Sequence, residues 1–222
     1  MQYRRIIDLT QPLVPGQGAR PLSIERGRTE ELTVHVPVDH PWYIMHRVQT
    51  ISHIGTHIEA PYHCFPAGRD LAGIPLDWLI GEAVVLDLSM LAPDSVAGAA
   101  EMAAVAERAG GVRRGDIALL LTGYAGRQED PAFPHRPSLT ADAMAYLVER
   151  GIKLLGTDLS GLEGPKTPQH LECHLILLGN DIPFIENVAN LAALSQPRVF
   201  VCALPIPVQG LDAFPLRVVA LE

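Results

Sequence analysis

Short runs of apolar and β-branched residues recur along the chain, and turn-forming residues separate them. Runs of this length that are bounded by Gly, Pro, Asn, Asp or Ser are typical of β-strands. The predicted strands are Arg5 to Leu9, Leu32 to Val38, Tyr43 to Ile51, Glu82 to Leu88, Ile117 to Thr122, Lys153 to Asp158, Val199 to Leu204 and Leu216 to Leu221. Most of the regular structure should therefore be β-sheet.

Three other segments show the spacing and end signals of helices. The predicted helices, each from its candidate cap or start to its end, are Asp94 or Ser95 to Ala109, Ser138 or Thr140 to Gly151, and Pro168 to Gly179. Strands dominate the first half and alternate with helices in the second, which favours a mixed α/β sheet covered by helices, in one domain over residues 1–222. The stretch from Leu159 to Gln169 is predicted to be a loop, and it places Asp158 at a strand end, where functional side chains are common.

Composition and charge narrow the class of protein. Hydrophobic residues make up 48% and charged residues 19%, as in an ordered globular protein. The formal charge of -8 and the scattered basic residues argue against nucleic acid or a membrane as partner. There is no signal-peptide core and no apolar run of about 18 residues, so we expect a cytoplasmic protein. Its three cysteines cannot form a closed set of disulfides, which fits a reducing compartment.

One segment concentrates the candidate chemistry. It reads His53-Ile-Gly-Thr-His57-Ile-Glu59-Ala-Pro-Tyr-His63, which places three imidazoles and a carboxylate within eleven residues. Imidazole and carboxylate together suit zinc and its first-row neighbours, whereas calcium and magnesium prefer oxygen alone. Glycine, proline and β-branched residues in the segment disfavour a helix. In an extended segment His57 and Glu59 share a face, and a bend at Gly55 brings His53 alongside them.

A second ion would need ligands from a distant element. His174 and Glu186 are candidates because each is embedded in apolar sequence, where an unpaired polar group is costly to bury. Alternatives remain open, since His174 can be a core histidine bonded to a backbone carbonyl and Glu186 can cap a helix. Cys64 and Cys173 each adjoin a histidine, and each can be either a soft metal ligand or a small buried hydrophobic residue. His170 is a surface residue or a weaker ligand.

This constellation resembles the cyclase family of metal-dependent hydrolases, of the kynurenine formamidase and isatin hydrolase type. The resemblance spans nearly the whole chain. It is carried by the segment from His53 to His63, by His174 and the later Ile-Glu186-Asn187, and by Leu204-Pro205 and Pro215-Leu216-Arg217.

The resemblance implies a fold, a set of ligands and a quaternary state. The fold would be a mixed-sheet swivelling β/β/α domain, in a homodimer or higher homo-oligomer. His53, His57 and Glu59 would bind one divalent ion, and His174 and Glu186 would hold a second, with both acids bridging. His63 would act as proton donor and acceptor. Zn2+ is the expected metal, with Mn2+ in some members, at one or two ions per chain.

Two departures from the family pattern bear on the site. Glu59 stands where many members carry Asp, and its extra methylene moves a bridging carboxylate, which leaves the number of ions open. The opening from Asp8 to Gly16 matches the family. The next four residues, Gln17-Gly18-Ala19-Arg20, stand in place of the Trp-Pro-Gly-Asp of kynurenine formamidases, which argues against a specific assignment to N-formylkynurenine.

Such a site supports hydrolysis of a small-molecule amide, lactam or ester by metal-activated water, with His63 passing a proton to the leaving nitrogen. The expected activity is arylformamidase-like or cyclic amidase-like. One alternative is a metal-dependent lyase or dehydratase acting on a small carbonyl compound, and another is a non-catalytic metal-binding protein. The candidate residues for substrate recognition are Trp42, Tyr43, Trp78, Tyr124, Arg69 and Arg127.

Overall fold

The computed structural model describes residues 4–27, 44–127, 135–164 and 171–222. The strands are β1 (Ile6–Asp8), β2 (Leu22–Arg26), β3 (His46–Thr50), β4 (His57–Glu59), β5 (Ile80–Asp87), β6 (Val96–Ala97), β7 (Ile117–Leu121), β8 (Ser138–Leu139), β9 (Leu154–Thr157), β10 (Phe184–Glu186), β11 (Arg198–Pro205) and β12 (Ala213–Leu221). The helices are α1 (Leu76–Leu79), α2 (Ala99–Arg108), α3 (Ala141–Arg150) and α4 (Glu172–Gly179). The predicted mixed α/β class is confirmed.

The main sheet closes on itself. Its strand order is β1-β12-β11-β5-β7-β9-β10-β4, and β4 pairs in addition with β12, so that the ring closes and β1 lies outside it. Strands β5, β7, β9 and β10 are parallel neighbours, whereas β4, β11 and β12 pair antiparallel with the strands beside them. Closure removes the free edges that an open sheet would leave in these strands.

Alternate residues of the central strands face two different cores. In β7, Ile117 and Leu119 belong to an interior cluster that is enclosed by the ring. Ala118 and Leu120 belong to an outer cluster, which packs α2, α3 and α4 against the sheet. A parallel strand that is buried on both faces is expected to be apolar throughout, as this one is.

The predicted strands are confirmed within the described residues, with shifted ends. The predicted strand from Leu32 to Val38 lies outside those residues. Sequence patterns did not single out the short strands β2, β6, β8 and β10.

The predicted cap of α2 was wrong. The helix is preceded by Gly98 rather than by Asp94 or Ser95, because the short strand β6 lies between those residues and the helix. The Glu101 carboxylate accepts a hydrogen bond from the Gly98 N–H at 2.9 Å, which supplies the cap from within the first turn.

The other two long helices follow their predicted ends. Helix α3 begins after Thr140 and ends at Gly151, which has the left-handed conformation (φ 76°) that favours glycine at this position. Helix α4 begins at Glu172 and ends at Gly179. Its predicted start near Pro168 lies outside the described residues. None of the helices in the described ranges is long and apolar enough to cross a membrane.

Candidate metal centre

Strand β4 forms the middle of the site. It lies between β10 and β12 and is antiparallel to both, with His57 directly opposite Glu186. Ile58 points into the interior cluster, so His57, Glu59 and Glu186 project from the other face of the sheet. Helix α4 covers that face and contributes His174, whose ligand atoms lie within 4.8 Å of those of Glu59 and Glu186.

The predicted bend at Gly55 is present. This residue has φ +56°, a left-handed conformation that favours glycine, and a Cβ added there would lie 2.4 Å from the side chain of Leu13, which would have to move. Its carbonyl accepts hydrogen bonds from His57 Nδ1 at 2.8 Å and from Asn187 Nδ2 at 3.1 Å. Because a carbonyl only accepts, His57 carries its proton on Nδ1 and keeps the Nε2 lone pair for the site.

The folded chain brings all of the predicted site residues together. Three groups among the described residues could hold an ion, and within each group the candidate ligand atoms lie within 4.8 Å of one another. The groups are His53, His57 and Glu59; Glu59, His174 and Glu186; and His53, His63 and Asp212. Neither Cys64 nor Cys173 belongs to any of them, and Cys173 is buried in the outer cluster as a small hydrophobe.

Glu59 lies between the two predicted sets of ligands. Its Oε1 is 3.0 Å from His53 Nδ1 and 3.5 Å from His57 Nε2. Its Oε2 is 3.8 Å from His174 Nε2 and 3.8 Å from His63 Nε2. The longer side chain therefore presents one oxygen to each set.

Two hydrogen bonds orient His174 and Glu186, the candidate ligands that come from outside the segment from His53 to His63. His174 Nδ1 donates to the Glu163 carboxylate at 3.0 Å, and its Nε2 is 3.9 Å from Glu186 Oε1. The Gly161 N–H donates to that same Glu186 oxygen at 2.8 Å. His174 is thus bonded to a carboxylate rather than to a backbone carbonyl, and Glu186 lies in β10 rather than capping a helix. Glu163 was not predicted, although it lies in the loop that was expected after β9.

Asp212 is a site residue that the sequence patterns did not reveal. Its Oδ2 lies 2.8 Å from His53 Nε2 and 3.1 Å from His63 Nδ1. The residue stands in a turn just before β12, where acidic residues are common for local reasons. The signal that identifies it is the pairing of the next residue, Ala213, with Glu59.

Carboxylates dominate the electrostatics of this region. Burial lowers the pKa of His53, but contacts with Glu59 and Asp212 outweigh burial and raise the pKa to about 9. Burial likewise opposes the rise in the pKa of His174 that Glu163 causes. For Asp212, burial raises the pKa, yet the hydrogen bonds from two imidazoles lower it to about 2. The site therefore favours the binding of cations.

The donor set fits a divalent metal ion. Among the described residues, His57 Nε2 and Glu59 Oε2 are buried without a hydrogen-bond partner. Leaving such atoms unpaired costs about 1–3 kcal/mol each, which a bound ion would offset. His53 Nε2 donates to Asp212, and His53 Nδ1 lies 3.0 Å from Glu59 Oε1. Two atoms with lone pairs approach this closely when they share a proton or bind the same metal ion. Nitrogen and oxygen donors without sulfur suit zinc or manganese.

An open cavity of about 910 Å³ leads to these residues. The N-terminal segment forms one wall with Gln11, Pro12, Leu13, Val14, Gln17, Gly18, Ala19 and Arg20. Gly126, Ser160, Gly161 and Asn187 line the cavity as well. A cavity of this size accommodates an aromatic or bicyclic small molecule.

Of the six residues predicted to recognise the substrate, the four that the structure describes are not in the cavity wall. Arg69 lies over the ring of Trp78 at 5.4 Å, and Arg127 lies over the ring of Tyr124 at 4.7 Å. None of these four residues lines the cavity, and the other two candidates, Trp42 and Tyr43, are outside the described ranges.

Asp158 anchors a loop instead of reaching into the site. It is fully buried, and its carboxylate accepts hydrogen bonds from the backbone N–H groups of Thr122 and Gly123. Burial raises its pKa, although the hydrogen bonds oppose that rise. The carboxylate thereby fixes the loop that carries Gly126 to the cavity wall.

A closed mixed α/β sheet with imidazoles and carboxylates on one face of β4 defines the class of protein. A family model described as "Putative cyclase" matches residues 7–164, and the chain belongs to this family. The kynurenine formamidase of Bacillus cereus is 30% identical, with 99% of this chain and 98% of that protein covered. The kynurenine formamidase of Erythrobacter litoralis is 29% identical, with coverage of 99% and 94%.

Solved structures show the same fold. Isatin hydrolase A from Ralstonia solanacearum superposes with a TM-score of 0.80 at 26% identity, covering 98% of this chain and 91% of that chain. Isatin hydrolase A from Labrenzia aggregata gives a TM-score of 0.81 at 24% identity, with coverage of 98% and 93%.

Proposed function

We propose that this chain is a metal-dependent hydrolase that cleaves a carbon–nitrogen bond of a small amide, such as an N-formyl aryl amide or a lactam. The observation that carries the proposal is the convergence of imidazole and carboxylate atoms, two of them buried and unpaired, beside an open cavity. The relatives named kynurenine formamidase, at 30% and 29% identity, support amide hydrolysis. The likeness to the isatin hydrolase at 26% identity supports it as well.

In this proposal the two ligand sets hold divalent ions. His53, His57 and Glu59 would hold one ion and His174 and Glu186 a second, with the Glu59 carboxylate close to both sets. Zn2+ is the first choice and Mn2+ the second. When bound, a divalent ion at such a site would lower the pKa of bound water to about 7 and polarise a carbonyl.

His63 is suited to carry the proton in this reaction. Its Nδ1 faces the Asp212 carboxylate at 3.1 Å, which leaves the Nε2 lone pair for the cavity. Its side chain is 28% exposed, so a substrate can reach it. His63 would take a proton from the attacking water and deliver it to the leaving nitrogen, releasing a carboxylate and an amine. General acid–base catalysis of this kind contributes about 10²–10⁴-fold in rate.

The cavity favours an enzyme over a structural metal protein. A structural zinc site is closed and often rich in cysteine, whereas this one opens into about 910 Å³ and contains no sulfur ligand among the described residues. A homodimer or higher homo-oligomer and a cytoplasmic location remain predictions.

The activity can be tested with a panel of N-formyl anilines, lactams, cyclic imides and isatin, with Zn2+ and Mn2+ supplied separately. In ¹⁸O-labelled water, hydrolysis should place solvent oxygen in the product carboxylate, and chelation should abolish turnover. A lyase or dehydratase would yield a product without a new carboxylate. Unlabelled products, or turnover that survives complete removal of metal, would overturn the proposal.

The role of His63 has its own test. His63→Ala should lower kcat by about 10²–10⁴-fold while the metal content stays at the wild-type value. His135→Ala is a matched control, because that imidazole is exposed and pairs with Asp94 away from the site. A parallel loss of metal in His63→Ala would make His63 a ligand rather than the proton carrier.

A further inference from the structure

Asp212 contacts two imidazoles through a single oxygen atom. Its Oδ2 lies 2.8 Å from His53 Nε2 and 3.1 Å from His63 Nδ1. A carboxylate oxygen has two lone pairs, so it can accept both hydrogen bonds at once. The ring centroids of the two histidines are 4.5 Å apart, which places them side by side over this oxygen.

The backbone holds Asp212 firmly beside the site. The next residue, Ala213, pairs with Glu59 across β12 and β4. The carbonyl of Asp212 accepts a hydrogen bond from the Ala60 N–H at 2.8 Å, which extends the same ladder by one rung. The position of the carboxylate is therefore set by the closure of the sheet at β4.

The other two imidazole ligands each have an orienting acceptor of their own. His57 Nδ1 donates to the Gly55 carbonyl and His174 Nδ1 donates to Glu163. Such partners fix the tautomer and the ring orientation of a metal-binding histidine. For His53 the corresponding partner is Asp212, which in addition contacts the residue expected to carry the proton.

We propose that Asp212 is a shared positioning residue, whose Oδ2 orients His53 as a metal ligand and His63 as a proton carrier. By accepting from His53 Nε2, it leaves Nδ1 facing Glu59. By accepting from His63 Nδ1, it leaves Nε2 as the atom that exchanges a proton. This inference rests on the proposed function, in which His53 holds the ion and His63 moves the proton.

The test compares Asp212→Ala with the conservative variant Asp212→Asn. The alanine variant should lower metal affinity by about 10–100-fold and kcat by a similar factor, because both imidazoles lose their acceptor. The asparagine variant keeps a neutral oxygen and should recover part of each loss. Competition with a chromophoric chelator measures Zn2+ affinity, and steady-state kinetics separate kcat from KM.

A readout without metal or substrate addresses the orientation itself. Long-range ¹H–¹⁵N NMR of the metal-free protein reports which imidazole nitrogen of His63 carries the proton. The wild type should show the proton on Nδ1, and Asp212→Ala should show a mixture of tautomers. This readout and the Zn2+ titration need no amide substrate, so they remain decisive even if the chain hydrolyses no amide.

Asp70→Ala is the matched control. The Asp70 carboxylate supports the same turn by accepting from the Gly210 N–H at 2.7 Å, and its other oxygen accepts from the Gly73 N–H at 2.9 Å rather than from an imidazole. This variant should leave Zn2+ affinity and the His63 tautomer at their wild-type values. The inference is overturned if Asp70→Ala reproduces the effects of Asp212→Ala. It is also overturned if Asp212→Ala changes only one of the two imidazoles, or neither.

Discussion

The metal centre has two halves that differ in their contact with solvent. The inner half consists of His57, Glu59, His174 and Glu186, whose side chains are 3%, 3%, 7% and 9% exposed. The outer half consists of His53, His63 and Asp212, whose side chains are 20%, 28% and 31% exposed. The inner half is built on strands and a helix, whereas Asp212 and His53 lie in turns.

This difference separates ligands that are shielded from solvent from groups that can exchange protons with it, and His53 is the member of the outer half that is also a proposed metal ligand. Buried acids and imidazoles without partners are costly unless a cation satisfies them, so the inner half is suited to permanent occupancy. The outer half meets the cavity and solvent, where protons can enter and leave. Glu59 belongs to the inner half but contacts both, since its two oxygens face His53 on one side and His174 on the other.

The largest expected effect comes from Glu59, the residue that joins the halves. Glu59→Gln removes a negative charge from both ligand sets, so metal content should fall close to zero and activity by about 10³-fold or more. Elemental analysis and steady-state kinetics measure the two losses. Glu59→Asp, which keeps the negative charge on a side chain that is one methylene shorter, should keep its metal. Full metal occupancy in Glu59→Gln would show that neither ligand set needs the negative charge of this residue to bind its ion.

A smaller effect is expected from a change confined to the inner half. Glu186→Gln should reduce metal stoichiometry by one ion and activity by about 10²-fold, because the ion held with His174 loses its second acidic ligand. Glu82→Gln, an exposed glutamate on β5, serves as the control. Wild-type occupancy in Glu186→Gln would remove this residue from the site.

The outer half should control how stability depends on pH. The pKa of His53 is raised from 6.5 to about 9, so its protonated form stabilises the metal-free fold fully below pH 6.5 and loses this effect as the pH rises through 9. Calorimetry should show Tm falling over this range by an amount on the order of a few °C. In the metal-loaded protein Tm should depend less on pH over this range, because the ion takes the place of the proton on His53.

This pH dependence can be assigned to one residue. His53→Gln should remove most of the slope in the chelated protein, and His135→Ala should leave it intact, since that histidine lies outside both halves. A slope that survives in His53→Gln would assign the titration to another group.

The smallest effect is expected at the cysteine that follows the metal motif. Cys64 is partly buried against the outer cluster and belongs to none of the ion-holding groups in the described residues. Cys64→Ala should therefore leave metal content and kcat/KM unchanged within error. Loss of zinc in this variant would add sulfur to the ligand set.

Much of the fold could be predicted because its central strands are rich in apolar and β-branched residues. The run in β7 is buried on both faces, so burial and sequence pattern agree there. Strand β10 was not predicted because Pro183 stands in its apolar run and argues against a strand, and the cap of α2 was misplaced because β6 is only two residues long. The single domain over residues 1–222 remains a prediction.

The sequence by itself determined the chemistry of the centre. Donor type and spacing from His53 to His63 depend only on local chain geometry, and His174 and Glu186 stand out as polar groups in apolar runs. The tertiary structure alone decided which acids orient the imidazoles of the site. Asp212 and Glu163 reach the site because β4 pairs with β12 and the loop after β9 folds against α4. Such contacts join residues far apart in the chain, so no local pattern encodes them.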